Sequence, residues 1–131
     1  MKRTPLILFS AMILAAAGLL VSASPLQVPS GTWIATGAMN SARSGAAAVL
    51  LQDGRILITG GSGASGPANS AELFGSNGSF SLASPMNVPR SGHVAVVLQD
   101  GRVLVAGGLT SGGAVTNTAE IFDLSSTHGP P

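Results

Sequence analysis

Few side chains in this chain of 131 residues have the chemistry for catalysis or ligation: two histidines, five acids, and neither cysteine nor tyrosine. His93 and His128 have no second His, Cys or Tyr close by in sequence, so no metal-ligand spacing is present. Serines abound, but a serine nucleophile needs a histidine base and an orienting acid, and nothing in the spacing brings such a set together. The segment GSGASG at 61–66 spells G-x-G-x-x-G, the pattern of a dinucleotide-binding loop. That pattern works only where a helix N-terminus follows to face the pyrophosphate and an acid stands about twenty residues on. Here Pro67 and the non-helical PANSAELF follow, and no acid lies between Glu72 and Asp100. No nucleotide, metal or other cofactor is therefore expected, and no catalytic residue is assigned.

The charged residues recur instead. RSGAAAVLLQDGRILITGG (43–61) and RSGHVAVVLQDGRVLVAGG (90–108) match at 13 of 19 positions with a constant offset of 47. ANSAELF (68–74) and TNTAEIF (116–122) correspond at an offset of 48, so the stretch after the double glycine has gained one residue. Arg43/Arg90, Asp53/Asp100, Arg55/Arg102 and Glu72/Glu120 are repeat-equivalent pairs, and only Asp123 has no counterpart in the other copy. A catalytic constellation is needed once, not in every unit, so recurring charges read as structural. Arg43 with Glu72 and Arg90 with Glu120 are candidates for a recurring ion pair, with separate solvation as the competing reading. His93 replaces Ala46 in the repeat and reads as a hydrogen-bonded structural histidine.

These residues must be positioned by short strands. Apolar runs at 45–51 and 55–59 flank Asp53-Gly54, and the same pattern surrounds Asp100-Gly101. Asp-Gly between two such runs predicts an antiparallel hairpin closed by a tight two-residue turn with positive φ at both central positions. Continuously apolar strands imply a sheet covered on both faces. Gly60-Gly61 and Gly107-Gly108 end the second strand, where a missing side chain permits positive φ or close backbone approach. A third strand is expected at 71–74 or 119–123. A fourth is expected at 79–83 around Phe80, with a counterpart at 31–35 around Trp33. Four short antiparallel strands per period of 47 to 48 residues describe a propeller blade.

A hydrophobic strand ending in Gly-Gly, a later AELF or AEIF, an aromatic residue, then Met-Asn and Arg43 or Arg90 resemble the kelch motif of kelch and galactose-oxidase-like β-propellers. The resemblance covers 33–127 and implies an all-β, partial kelch-type propeller of about two four-stranded blades. The organisation expected is a signal peptide over 1–23, a linker over 24–32, repeats over 33–79 and 80–127, and a tail over 128–131. Kelch propellers serve as binding scaffolds, adaptors and occasional oxidases. A copper centre of the galactose-oxidase type would need tyrosine and cysteine, and this chain has neither. Phe80 stands where the first copy has Trp33, and no tyrosine occupies the family's aromatic positions.

The signal peptide is read from Lys2 and Arg3, the apolar run Leu6 to Val21, and the small residues before a cleavage site after Ala23. The run falls short of the roughly twenty residues that cross a bilayer. Cleavage leaves four arginines against five acids and no lysine, which offers no basic footprint for nucleic acid or anionic lipid. Asn77-Gly78-Ser79 is a formal glycosylation sequon and reads as a turn. The expectation is an exported, periplasmic or cell-surface protein, without membrane attachment after cleavage, that binds a protein or glycan without catalysis. Its reading loops would be Ser62–Ser70 and Leu109–Asn117, the longest and least alike between copies. The alternative is a piece of a propeller enzyme whose catalytic residues lie elsewhere. Two repeats cannot close a ring, so a partial chain or self-association is expected.

Overall fold

The computed structural model describes residues 30–125. The expected signal peptide, most of the linker, the tail and His128 lie outside the described residues. The chain divides into two units, Met1–Ile34 and Ala35–Pro131. Of the first, only residues 30–34 are described, an irregular stretch in which Trp33 is 98% exposed. All the described strands belong to the second unit.

The protein is all-β, built from antiparallel sheets, none of them closed. Sheet I contains β1 (Ala47–Leu50), β2 (Ile56–Thr59), β5 (Ala71–Phe74) and β6 (Phe80–Ala83), in the order β1-β2-β5-β6. A small ribbon, β3 (Ser62–Gly63) with β4 (Gly66–Pro67), projects from the connection between β2 and β5. Sheet II contains β7 (Val94–Val97), β8 (Val103–Ala106) and β9 (Ala119–Phe122), in the order β7-β8-β9. A short 3₁₀ turn, Ser111–Gly113, occupies the longer connection between β8 and β9. Sheet I draws its outermost strand from the start of the second sequence repeat and so straddles the boundary between repeats, whereas the strands of sheet II all lie within the second repeat.

The hairpin at Asp53-Gly54 is wider than a two-residue turn. Leu51 N–H donates to the Arg55 carbonyl at 2.8 Å and Gly54 N–H donates to the Leu51 carbonyl at 3.0 Å. Of its loop residues only Gly54 has positive φ, at 87°. This is a three-residue loop whose glycine supplies a left-handed step, and Asp53 avoids that region altogether. The Asp53 carboxylate accepts from Arg55 N–H at 3.0 Å and from its guanidinium at 2.9 and 2.7 Å. Asp100 and Arg102 repeat the arrangement. The expected two-residue turn is thus corrected: the Asp–Arg bracket favours the longer loop.

The two sheets share one core. Leu57, Ala71 and Leu73 from sheet I and Val103 and Val105 from sheet II are buried together, with Leu51 beside them. The register shows which faces meet. On sheet I, Val49, Leu57 and Leu73 stand side by side across the strands, as do Ala47, Thr59 and Ala71. On sheet II the facing rows are Val97, Val103 and Phe122, then Ala95, Val105 and Glu120. Leu57 corresponds in sequence to Leu104 and Val103 to Ile56, so sheet I presents one side of the repeat and sheet II presents the other. The packing is head to tail, and each sheet keeps one uncovered face. That differs from strands buried on both sides, because each sheet has a single neighbour among the described residues. The expected strand at 31–35 is also absent: residues 32–39 are irregular. A strand exists only through its ladder, and no described strand pairs with this segment.

Candidate functional site

Arg43 and Arg90 lie in the segments that lead into β1 and β7, and each folds back under the end of its own sheet. Arg43 Nη1 donates to the carbonyls of Gly60 at 2.7 Å and Ser70 at 3.1 Å. Its Nη2 donates to Ser70 Oγ at 3.2 Å and Glu72 Oε1 at 2.7 Å. Arg90 repeats the set on Gly107, Thr118 and Glu120, with Nη2 donating to Glu120 Oε2 at 3.1 Å. The ion pairs foreseen as alternatives are formed in both copies, and the side chains of Arg43, Glu72 and Arg90 are nearly or wholly buried. Arg43 Nε alone lacks a partner, whereas Arg90 Nε reaches Glu120 at 3.3 Å.

The carboxylates do a second job. Glu72 accepts from Asn40 N–H at 2.7 Å, from the Asn40 amide at 2.9 Å and from Ser41 N–H at 3.1 Å. Glu120 accepts in the same way from Asn87 and Val88. One carboxylate therefore ties the Met-Asn segment, the arginine and its strand together. Burial alone would raise the Glu72 pKa, but the Asn40 and Ser41 donors and the Arg43 guanidinium outweigh it and hold the carboxyl below its ordinary range. Glu120 is likewise lowered against its own burial, by Asn87, Arg90 and Val88. Both glutamates stay ionised at neutral pH, with their lone pairs committed to the fold, and neither is poised as a general acid.

His93 lies between the sheets. Its Nε2 shares a 2.8 Å hydrogen bond with the Thr59 hydroxyl, and its Nδ1 is buried without a partner. Burial, reinforced by the positive charge of Arg90, lowers its pKa below the usual histidine value, so the ring is neutral at neutral pH. Gly60 and Gly61 sit against the same junction, with φ of 59° and 90°. A Cβ on Gly60 would lie 2.3 Å from the Arg90 carbonyl and 2.8 Å from His93 Cε1. Gly61 N–H donates to that carbonyl at 2.8 Å. Gly107 and Gly108 share the positive φ, at 70° and 90°. The double glycine is thus the place where one sheet's backbone meets the next. Phe80 packs on Phe74 across β5 and β6, with ring centroids 4.9 Å apart. The Thr59–His93 bond has no signature in the sequence beyond the His93/Ala46 difference, since Thr59 is matched by Ala106 in the second copy.

Two expected reading loops fall at one end of the sheets, opposite the Asp-Gly hairpins. β3, β4 and Pro67 shape the first loop, and the 3₁₀ turn shapes the second. The β4 strand and this turn are neighbours. Beneath the β3–β4 ribbon a cleft of about 360 Å³ is lined by Ser41, Ala42, Arg43, Gly63, Pro67 and Ser70 among others. Apart from Arg43, the residues around it are small and uncharged. Among the described residues no three His, Cys, Asp or Glu side chains gather as metal ligands. Among them, too, no helix is long and apolar enough to cross a membrane.

No protein-family model matches the chain, and no curated protein matches it significantly. Among solved structures it is similar to that of YjhT, with a TM-score of 0.54 at 17% identity. The likeness covers 65% of this chain and 29% of YjhT, so the chain spans less than a third of that protein's length. At this identity the likeness is one of fold alone.

Proposed function

We propose that this chain is an exported, non-enzymatic binding scaffold, two consecutive blades of a kelch-type β-propeller that read a protein or glycan through the loops 62–70 and 109–117. The observation that carries the reading is the division of labour between charged and uncharged residues. Four arginines and four acids are held in repeat-equivalent brackets, and His93 is tied to Thr59. The two loops that differ between the copies lie together at one end and carry small neutral residues. Such an arrangement favours binding through many weak polar contacts over proton transfer or ligation. Head-to-tail stacking of repeat-equivalent sheets supports the blade reading.

Probing glycan and peptide panels with the purified chain tests it. Binding is expected to disappear in Ala64→Trp or Ser111→Trp, both at exposed loop positions, and to survive Arg102→Ala at the opposite end. Binding that ignores both loop variants, or chemical turnover of the bound glycan, would overturn the reading. Export is checked by mass spectrometry of the secreted protein, expected to begin at Ser24; an intact Met1 contradicts it.

A further inference from the structure

Both uncovered faces are made of residues whose repeat equivalents are already packed against each other inside the chain. The open side of sheet II carries Val94, Val96, Leu104, Ala106, Ala119 and Ile121, the counterparts of the buried row on sheet I. Val94 is 67% exposed and Val96 51%. The open side of sheet I carries Ala46, Ala48, Leu50, Ile56 and Ile58, the counterparts of the buried row on sheet II, and Leu50 is 67% exposed. Where the internal junction has the polar pair Thr59 and His93, the two open faces carry Ala106 and Ala46. Both members have changed together, so pressing these faces against each other strands no buried hydroxyl or imidazole.

Among the described residues sheet II has no strand equivalent to the β6 of sheet I. Beside β9 runs a cleft of about 440 Å³, lined by Phe122, Leu124, Leu82, Met86 and Leu73 among others. The repeat equivalent of β6 is the segment 33–36, irregular here and headed by the exposed Trp33. Just after it, Gly37 N–H and Thr36 Oγ1 both donate to the Gly78 carbonyl, at 3.0 and 2.9 Å, and anchor the segment's end on the connection before β6.

We propose that the occupant of both features is a second copy of this chain. The partner's sheet I lays its open face on sheet II, and the partner's residues 33–36 pair with β9 as a fourth strand. By the β5–β6 register, in which Phe74 faces Phe80 and Ala71 faces Ala83, the partner's Trp33 comes opposite Phe122 and its Thr36 opposite Ala119. The indole enters the cleft against Phe122, as Phe80 packs on Phe74 in sheet I. The association is heterologous: each copy offers a donor side and an acceptor side, so copies add head to tail until a ring closes or a filament grows. The inference rests on the reading of the two sheets as successive blades.

Sedimentation of the chain across a range of concentrations is the test, followed by the fluorescence of Trp33, its single tryptophan. Mass is expected to rise with concentration while the emission moves to shorter wavelength. Val96→Glu blocks only the acceptor side and Ala48→Glu only the donor side, both at exposed positions. Each should stay monomeric alone, and an equimolar mixture should give a dimer that grows no further. Trp33→Ala, at a position too exposed to disturb folding, should weaken association by roughly tenfold or more. A wild-type monomer at all concentrations, association untouched by the charge variants, or a mixture that remains monomeric would each overturn the proposal. The stacking it rests on is read separately, from the melting of the monomeric Ala48→Glu protein carrying either Gly60→Ala or Gly107→Ala. A clearly larger loss at Gly60 keeps the successive-sheet reading whatever the copies do, and equal losses would remove it.

Discussion

Gly60 and Gly107 occupy the same position in the two repeats, yet alanine should be far more damaging at the first. Both backbones are left-handed, with φ of 59° and 70°, so alanine at either costs about 1–2 kcal/mol of conformational strain. The difference lies in what the new methyl meets. At Gly60 it would sit 2.3 Å from the Arg90 carbonyl, 2.8 Å from the His93 ring and 3.1 Å from Met86 Cε; at Gly107 the nearest atom is the Thr116 carbonyl at 3.7 Å. A backbone carbonyl cannot step aside as a flexible side chain can, so the sheets must part, at about 1–3 kcal/mol. Parting them also lengthens the 2.8 Å bond from Gly61 N–H to Arg90, worth about 1 kcal/mol. The gap between the variants is therefore on the order of 2–4 kcal/mol, or roughly 8–20 °C in Tm for a domain of this size. Thermal and urea unfolding should be compared in the Ala48→Glu background, where copies cannot dock and Gly107 faces solvent. Equal losses at the two glycines would refute the stacking of sheet I on sheet II.

Other perturbations separate the structural charges from the surface ones. Glu72→Gln leaves the buried Arg43 guanidinium without its counter-ion and should cost about 3–5 kcal/mol in urea unfolding, whereas Asp53→Asn at the solvent-exposed bracket should be indistinguishable from wild type. His93 has a lowered pKa because it is buried and lies near Arg90, so the folded protein excludes a proton that the unfolded chain accepts below about pH 6.5. Stability is complete above that pH and falls as acidification proceeds toward the lower folded-state value, with a slope of at most about 1.4 kcal/mol per pH unit. His93→Gln should flatten this loss. The lowered glutamates contribute above their unfolded values and lose that contribution only below about pH 4.3, so a loss that begins near pH 6.5 is not theirs.

The repeated LQDGR and the double glycines announced the strands, the hairpins and the positive φ, because those depend on local backbone chemistry. The pairing of Arg43 with Glu72 could be read from recurrence, but its burial could not, since sequence shows which charges repeat and not what covers them. Turn length was missed at Asp53: the side chain's bracket with Arg55 selects a three-residue loop that the dipeptide alone does not specify. Which side of each sheet is buried was also illegible, because Leu57 and its equivalent Leu104 are both flanked by β-branched aliphatic residues and differ in whether another sheet lies opposite. For the same reason 31–35 has strand composition but no strand. The Thr59–His93 contact joins residues in different repeats, and only the packed sheets bring them together.

That contact offers the most direct test of how the sheets stack. A double-mutant cycle of Thr59→Val, His93→Ala and the double variant, measured by urea unfolding in the Ala48→Glu monomer, isolates the energy shared across the junction. With the hydroxyl and Nε2 2.8 Å apart and both residues buried, each single change leaves the other polar group unpaired, and the double change relieves that penalty. The expected coupling is about 1 kcal/mol or more. Additive losses, with no coupling between residues 59 and 93, would contradict the packing of one repeat's sheet on the next.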